Sequence, residues 1–180
     1  MSLDIYIFNF LHQLAGKNVF LDGFIFWSAE ILPYVFALVL WSWIITRTKN
    51  YAERKYVILI GVIGIVSAII SRFLLVTLIR LFIERPRPFV ELWLTPLFSH
   101  EASTSFPSGH AAFFFALVPV MFLLSRKAGW VYLVVAILMG LSRIIAGVHW
   151  PSDILAGALI GLAVGWCIMR YALKIHKLLR

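Results

Sequence analysis

An all-α, polytopic membrane helix bundle is the fold class this sequence predicts, and three observations carry it. Of the 180 residues, 62% are hydrophobic and only 13% are charged, with a mean hydropathy of +0.95. A soluble domain of this size cannot hide so much apolar surface. Several apolar runs approach or exceed the ~18–20 residues that cross a hydrocarbon core of about 30 Å. Most of the basic residues gather in short segments between those runs or at the C-terminal end. The expectation is five transmembrane helices plus an N-terminal interfacial helix, in one integral-membrane domain over residues 1–180 without internal repeat or linker.

Residues 3–14 place Ile5, Phe8 and Leu11 on a helical stretch too short to span, which reads as an interfacial amphipathic helix ended by Gly16-Lys17-Asn18. The first span is expected over 20–45, kinked at Pro33, and it acts as its own insertion signal because no cleavable leader pattern opens the chain. The second covers 56–83 and carries Arg72 and Arg80, after which a polar loop with three prolines runs from 84 to 107. The third is 109–124, the fourth 130–146 after a tight turn at Arg126-Lys127, and the fifth 153–173.

Ten Lys or Arg fall in the loop 47–55, the turn 126–127 and the tail from Arg170. The positive-inside rule puts these segments in the cytoplasm and the loops 84–107 and 147–152 on the outer face. The net charge of +8 is thereby read as loop charge facing anionic lipid, not as a nucleic-acid surface. The single cysteine, Cys167, excludes an intrachain disulfide and a multi-cysteine metal site. No carboxylate or thiolate cluster suggests a metal, so neither metal nor cofactor is expected. No obligatory protein partner is evident.

Three polar clusters sit at outer helix ends: Arg80 to Pro88; Pro107-Ser108-Gly109-His110; and Ser142-Arg143 with His149 and Asp153. A Pro-Ser-Gly helix start reads by itself as a cap, and the same start offers bare N–H donors and a positive dipole end to an anion. Arg80, Arg87 and Arg143 add forked donors suited to phosphate oxygens, alongside Ser108 and the Gly109 amide. Asp153, four residues past His149 with Pro151 as helix opener, can turn back to fix the imidazole tautomer, leaving the other nitrogen to attack phosphorus. His110 then suits the role of general acid. Singly, each piece has a plainer reading. The arginines serve as snorkelling anchors and Trp150-Pro151-Ser152-Asp153 as a helix start.

Together, these residues resemble the three motifs of the type 2 phosphatidic acid phosphatase superfamily: Lys, six residues, Arg-Pro; Pro-Ser-Gly-His; and Ser-Arg, five residues, His, three residues, Asp. The second and third match without departure, and the first has Arg80 where Lys is usual. The resemblance implies a metal-independent phosphatase working through a phosphohistidine at His149, with Asp153 assisting, His110 as acid, and Arg80, Arg87, Ser108, Gly109 and Arg143 holding phosphate. The small size and the Glu84-Arg85-Pro86-Arg87-Pro88-Phe89 stretch are similar to bacterial undecaprenyl-diphosphate phosphatases of that family. Undecaprenyl (polyprenyl) diphosphate is therefore the expected substrate, with phosphatidylglycerophosphate or phosphatidic acid as alternatives. A transporter or scramblase of phosphorylated lipid is the competing class; discontinuous helices around a mid-membrane site would favour it, whereas the polar residues here lie at span ends, which favours an interfacial enzyme.

Arg85 is a candidate contact for a second phosphate or for neighbouring headgroups. Glu30 and Arg72 lie at similar depth, about 15–17 Å from the outer face at ~1.5 Å per residue, and are expected to form a structural ion pair. His100 and Glu101 read as a solvated loop face near the site.

Overall fold

The computed structural model describes residues 3–178, with the backbone alone for Ala172 and 175–178. The Lys177 side chain and Arg180, counted above among the basic tail, lie outside the described residues. All regular structure among the described residues is helical.

Helix α1 (Leu3–His12) has Asp4 in its first turn and His12 in its last, the arrangement that complements the helix dipole. Phe8 is fully buried, and its ring packs 5.1 Å from that of Trp150. The His12 imidazole donates through Nδ1 to the Ile145 carbonyl at 2.8 Å. Leu3, Tyr6 and Phe10 stay exposed on the opposite face. The helix is thus amphipathic, as expected, and it is also docked onto the bundle.

The first expected span is two helices, α2 (Val19–Glu30) and α3 (Leu32–Thr46), bent by 59° at Ile31. Pro33 opens α3 and offers no N–H to continue the α2 ladder, so the anticipated kink is an elbow with Glu30 at its corner. α4 (Tyr51–Ile69) begins on Asn50, whose side chain accepts from the Glu53 amide while Glu53 accepts from the Lys49 amide. It continues through a π-helical turn (Ile70–Leu75) into α5 (Val76–Arg80), one helix of 30 residues. A short α6 (Pro88–Glu91) interrupts the long loop.

α7 (Gly109–Leu124) forms the centre of the bundle, with Ala111, Phe114, Ala116 and Val118 all buried. α8 (Arg126–Ile145) and α9 (Pro151–Leu178) pack against it. Arg126 and Lys127, expected as a turn, are the first residues of α8 after the Ser125 cap. Gly157, Gly161 and Gly165 let α9 lie directly on the α7 backbone. A Cβ there would stand 2.4, 2.4 and 2.2 Å from the carbonyl oxygens of Ser108, Ala112 and Ala116. Small residues at four-residue spacing permit such close approach between membrane helices, where burial of apolar surface supplies little drive.

Among the described residues three helices are long and apolar enough to cross a membrane, and the α2–α3 pair makes a fourth if it counts as one span. α7, at 16 residues, is apolar but shorter than these. A helix surrounded by protein need not match the bilayer by itself.

Candidate active site

Helix caps build the site. After α8 the chain turns through Gly147, whose φ of +84° lies in the left-handed region that glycine favours. Val148 N–H donates back to the Arg143 carbonyl at 3.2 Å and Gly147 N–H to the Ile144 carbonyl at 3.0 Å, the double bond of a Schellman end. Pro151 then opens α9. Asp153, in the first turn, accepts the Trp150 amide on Oδ2 at 2.8 Å, as a capping-box acid does. These two local motifs set the spacing of Arg143, His149 and Asp153. Ser108 caps α7, and its own amide donates to the Asp153 carbonyl at 3.0 Å, joining the starts of α7 and α9.

His149 Nδ1 faces Asp153 Oδ2 at 3.4 Å. The other nitrogen, Nε2, accepts from Arg87 Nη1 at 3.3 Å, and the same Nη1 donates to the Val148 carbonyl at 2.8 Å. His149 is almost wholly buried. Burial first, then the charges of Arg143 and Arg87, holds its pKa well below the usual histidine range. That direction favours the neutral ring, and the Arg87 donor facing Nε2 suits a lone pair on that nitrogen. Arg87 is lowered to about 10 by burial, then by Arg80 and Arg143, and stays charged.

A cavity of about 300 Å³ adjoins this ring, lined among others by Arg72, Arg80, Arg87, Arg143, His110, Gly109, His100 and Glu101. The sequence-derived phosphate ligands Arg80, Arg87, Gly109 and Arg143 thus line one cavity with both histidines. Ser108 is fully buried and acts as the cap beneath them. Arg80 donates to the Pro107 carbonyl at 2.9 Å. The Nε groups of Arg80, Arg87 and Arg143 are buried without a hydrogen-bond partner among the described residues. Buried donors seldom stay unpaired, and an anion in the cavity is the partner that fits this chemistry.

Three expectations change. Glu30 does not pair with Arg72. Its Oε1 accepts from Arg143 Nη1 at 2.6 Å, and its Oε2 lies 3.9 Å from His110 Nε2. The elbow at Ile31 turns Glu30 towards α8, and Arg72 lines the cavity instead with its guanidinium 5.3 Å from the Phe73 ring. Arg85 is not among the cavity-lining residues. It donates to Asp4 at 2.5 Å, Ser152 at 2.6 Å and Asp153 Oδ1 at 3.0 Å. His100 is no solvated face, since it is half-buried at the cavity and its Nε2 accepts from Arg143 Nη2 at 3.0 Å, whereas Glu101 lines the cavity rim and stays exposed, as expected. Burial, then Arg87 and Arg143, lowers the His100 pKa, which suits an acceptor ring.

Asp4 is the residue that motif reasoning missed. It accepts the Ser152 amide at 2.9 Å and the Ser152 hydroxyl at 2.5 Å, besides Arg85. Burial raises its pKa, but the bonds from Ser152 and Arg85 outweigh this and hold it below the usual carboxylate value. Its only sequence signal is an acidic first turn in α1.

Residues 61–177 match the PAP2 superfamily. The chain is 32% identical to undecaprenyl-diphosphatase BcrC of Bacillus subtilis, across 92% of this chain and 82% of that protein. It is 34% identical to the bacitracin transport permease protein BcrC of Bacillus licheniformis, across 99% and 86%. The crystal structure of Aquifex aeolicus LpxE superposes with a TM-score of 0.70 at 28% identity, covering 95% of this chain and 97% of that one. With three motifs gathered at one cavity, a matching fold and relatives along nearly its whole length, the chain belongs to the PAP2 superfamily and is an integral-membrane phosphatase.

Proposed function

We propose that the chain hydrolyses undecaprenyl, or a similar polyprenyl, diphosphate to the monophosphate and inorganic phosphate through a phosphohistidine on His149. The observation that carries this reading is the pairing of an Asp153-held His149 with a cavity lined by arginines and His110. His149 Nε2 attacks the terminal phosphorus. The bond from that phosphorus to the bridging oxygen breaks, its electron pair stays on the oxygen, and His110 supplies the proton. Asp153 stabilises the ring as it gains charge. Arg80, Arg87, Arg143 and the Gly109 amide hold the equatorial oxygens, and Ser108, buried as the α7 cap, holds the helix start that presents that amide. Water then attacks the phosphoimidazole, His110 takes its proton, and cleavage of the P–N bond releases phosphate and neutral His149.

The substrate assignment draws on relatives named undecaprenyl-diphosphatase from Bacillus subtilis and Sulfolobus acidocaldarius. The basic segments support a bacterial plasma-membrane orientation with the site at the outer face and the C-terminus cytoplasmic. Arg85 and Asp4 position Asp153 and touch no substrate, and Glu30 steadies Arg143 and His110. Phosphate release by the purified chain from polyprenyl diphosphate, polyprenyl monophosphate, phosphatidic acid and phosphatidylglycerophosphate tests the reading. The diphosphate should give the highest kcat/KM. Full activity in His149→Ala would sink the mechanism.

A further inference from the structure

Four guanidinium groups line the cavity, and the protein already engages three. Arg80 donates to the Pro107 carbonyl, Arg87 to the Val148 carbonyl, and Arg143 to Glu30. Arg72 differs. Among the described residues no carboxylate comes within ion-pair distance of it, and its guanidinium lies over the Phe73 ring. A cation at membrane depth without counter-charge is costly, and three neighbouring arginines raise that cost. An anion beside Arg72 removes both penalties.

The backbone aims Arg72 at this place. It lies in the π-helical turn Ile70–Leu75, and Arg72, Phe73, Val76, Thr77 and Arg80 all face the cavity. π turns interrupt α-helices at functional sites more than elsewhere. The Arg72 Cγ passes 3.6 Å from the point where a Cβ on Gly109 would sit, so its stem runs beside the start of α7, next to His110. His110 is the proposed proton donor to the departing oxygen, which places Arg72 on the leaving-group side.

Leaving groups differ in charge. A lipid monophosphate releases a neutral alcohol, whereas a lipid diphosphate releases a phosphate that keeps negative charge after His110 has protonated the bridging oxygen. We infer that Arg72 forms the subsite for this second, lipid-attached phosphate and makes the cavity prefer diphosphates to monoesters. The inference rests on the phosphatase reading above. Arg85, the other candidate for that contact, is committed to Asp4, Ser152 and Asp153.

The test measures kcat/KM of the full chain in detergent for a polyprenyl diphosphate and for phosphatidic acid. In Arg72→Gln the preference for the diphosphate falls about 30-fold, the size expected for a lost charge-assisted contact, and Arg72→Lys recovers part of it. Binding to the unmodified chain gives a readout independent of variant folding. There, non-hydrolysable methylenediphosphonate inhibits more tightly than methylphosphonate, and Arg72→Lys narrows the gap. Equal losses on both substrates, or equal inhibition of the unmodified chain by the two phosphonates, overturns the subsite. Absence of phosphate release by the unmodified chain from either lipid overturns the phosphatase reading instead.

Discussion

The two sides of the cavity are built on opposite principles. On the His149 side, polar groups answer one another. Asp4 binds Ser152 and Arg85, Arg85 binds Asp153, and Asp153 takes the Trp150 amide and faces the imidazole. Towards the substrate, Arg72 has no carboxylate partner among the described residues, and Arg80, Arg87 and Arg143, though held through their Nη groups, each keep a buried Nε without a partner. A satisfied network fixes geometry before the substrate arrives. A cation without counter-charge and donors without acceptors hold their stabilisation in reserve for charge that the substrate brings. The nucleophile is thus prepared in advance, and the acceptor side is completed by the lipid phosphate.

Perturbations of the prepared side should lower kcat. The largest is His149→Ala, for which phosphate release drops about 10⁴-fold or more, as for removal of a covalent nucleophile. Asp153→Asn keeps the shape but removes the charge that holds the tautomer, and kcat falls about 10³-fold. Asp4→Ala acts two contacts away and costs kcat about 10-fold with KM nearly unchanged, and Asp4→Glu restores part of the loss. A proportional rise in KM for Asp4→Ala would show that α1 shapes binding instead, and the contrast between the two sides would fail.

The frame common to both sides is the contact of α7 with α9. In Gly161→Leu a side chain must enter where a Cβ already stands 2.4 Å from the Ala112 carbonyl. Thermal melting in detergent should show a loss of about 1–3 kcal/mol or more, with both substrate classes affected alike.

The smallest effect is on pH dependence. His149 and His100 have pKa values lowered in the folded chain, while the unfolded value is about 6.5. The folded state therefore binds fewer protons than the unfolded state in this window. Their stabilisation is fully present above pH ~6.5 and declines as pH falls through the lowered folded values. The melting temperature should drop on going from pH 7.5 to 5, and less so in His100→Gln. Rising stability on acidification would contradict the assigned direction.

The fold class and the phosphate-site motifs were legible because both rest on local chemistry. Apolar runs mark spans, and a Schellman glycine, a proline and a capping acid fix where Arg143, His149 and Asp153 point. Pairings between helices were not legible. Depth counting put Glu30 and Arg72 at one level but could not show that the Ile31 elbow turns Glu30 to Arg143. Arg85 meets Asp4 across 81 residues, a contact that no local pattern encodes. His100 looked like surface in a polar loop, yet that loop folds over the cavity.

The measurement that bears most directly on the account is a trapped intermediate. The purified chain would be mixed briefly with polyprenyl diphosphate carrying a labelled terminal phosphate, quenched in alkali, and mapped by mass spectrometry. The account predicts acid-labile label on His149, retained in alkali and missing from His149→Ala. Label on His110, or turnover at full rate with no labelled histidine, would contradict it.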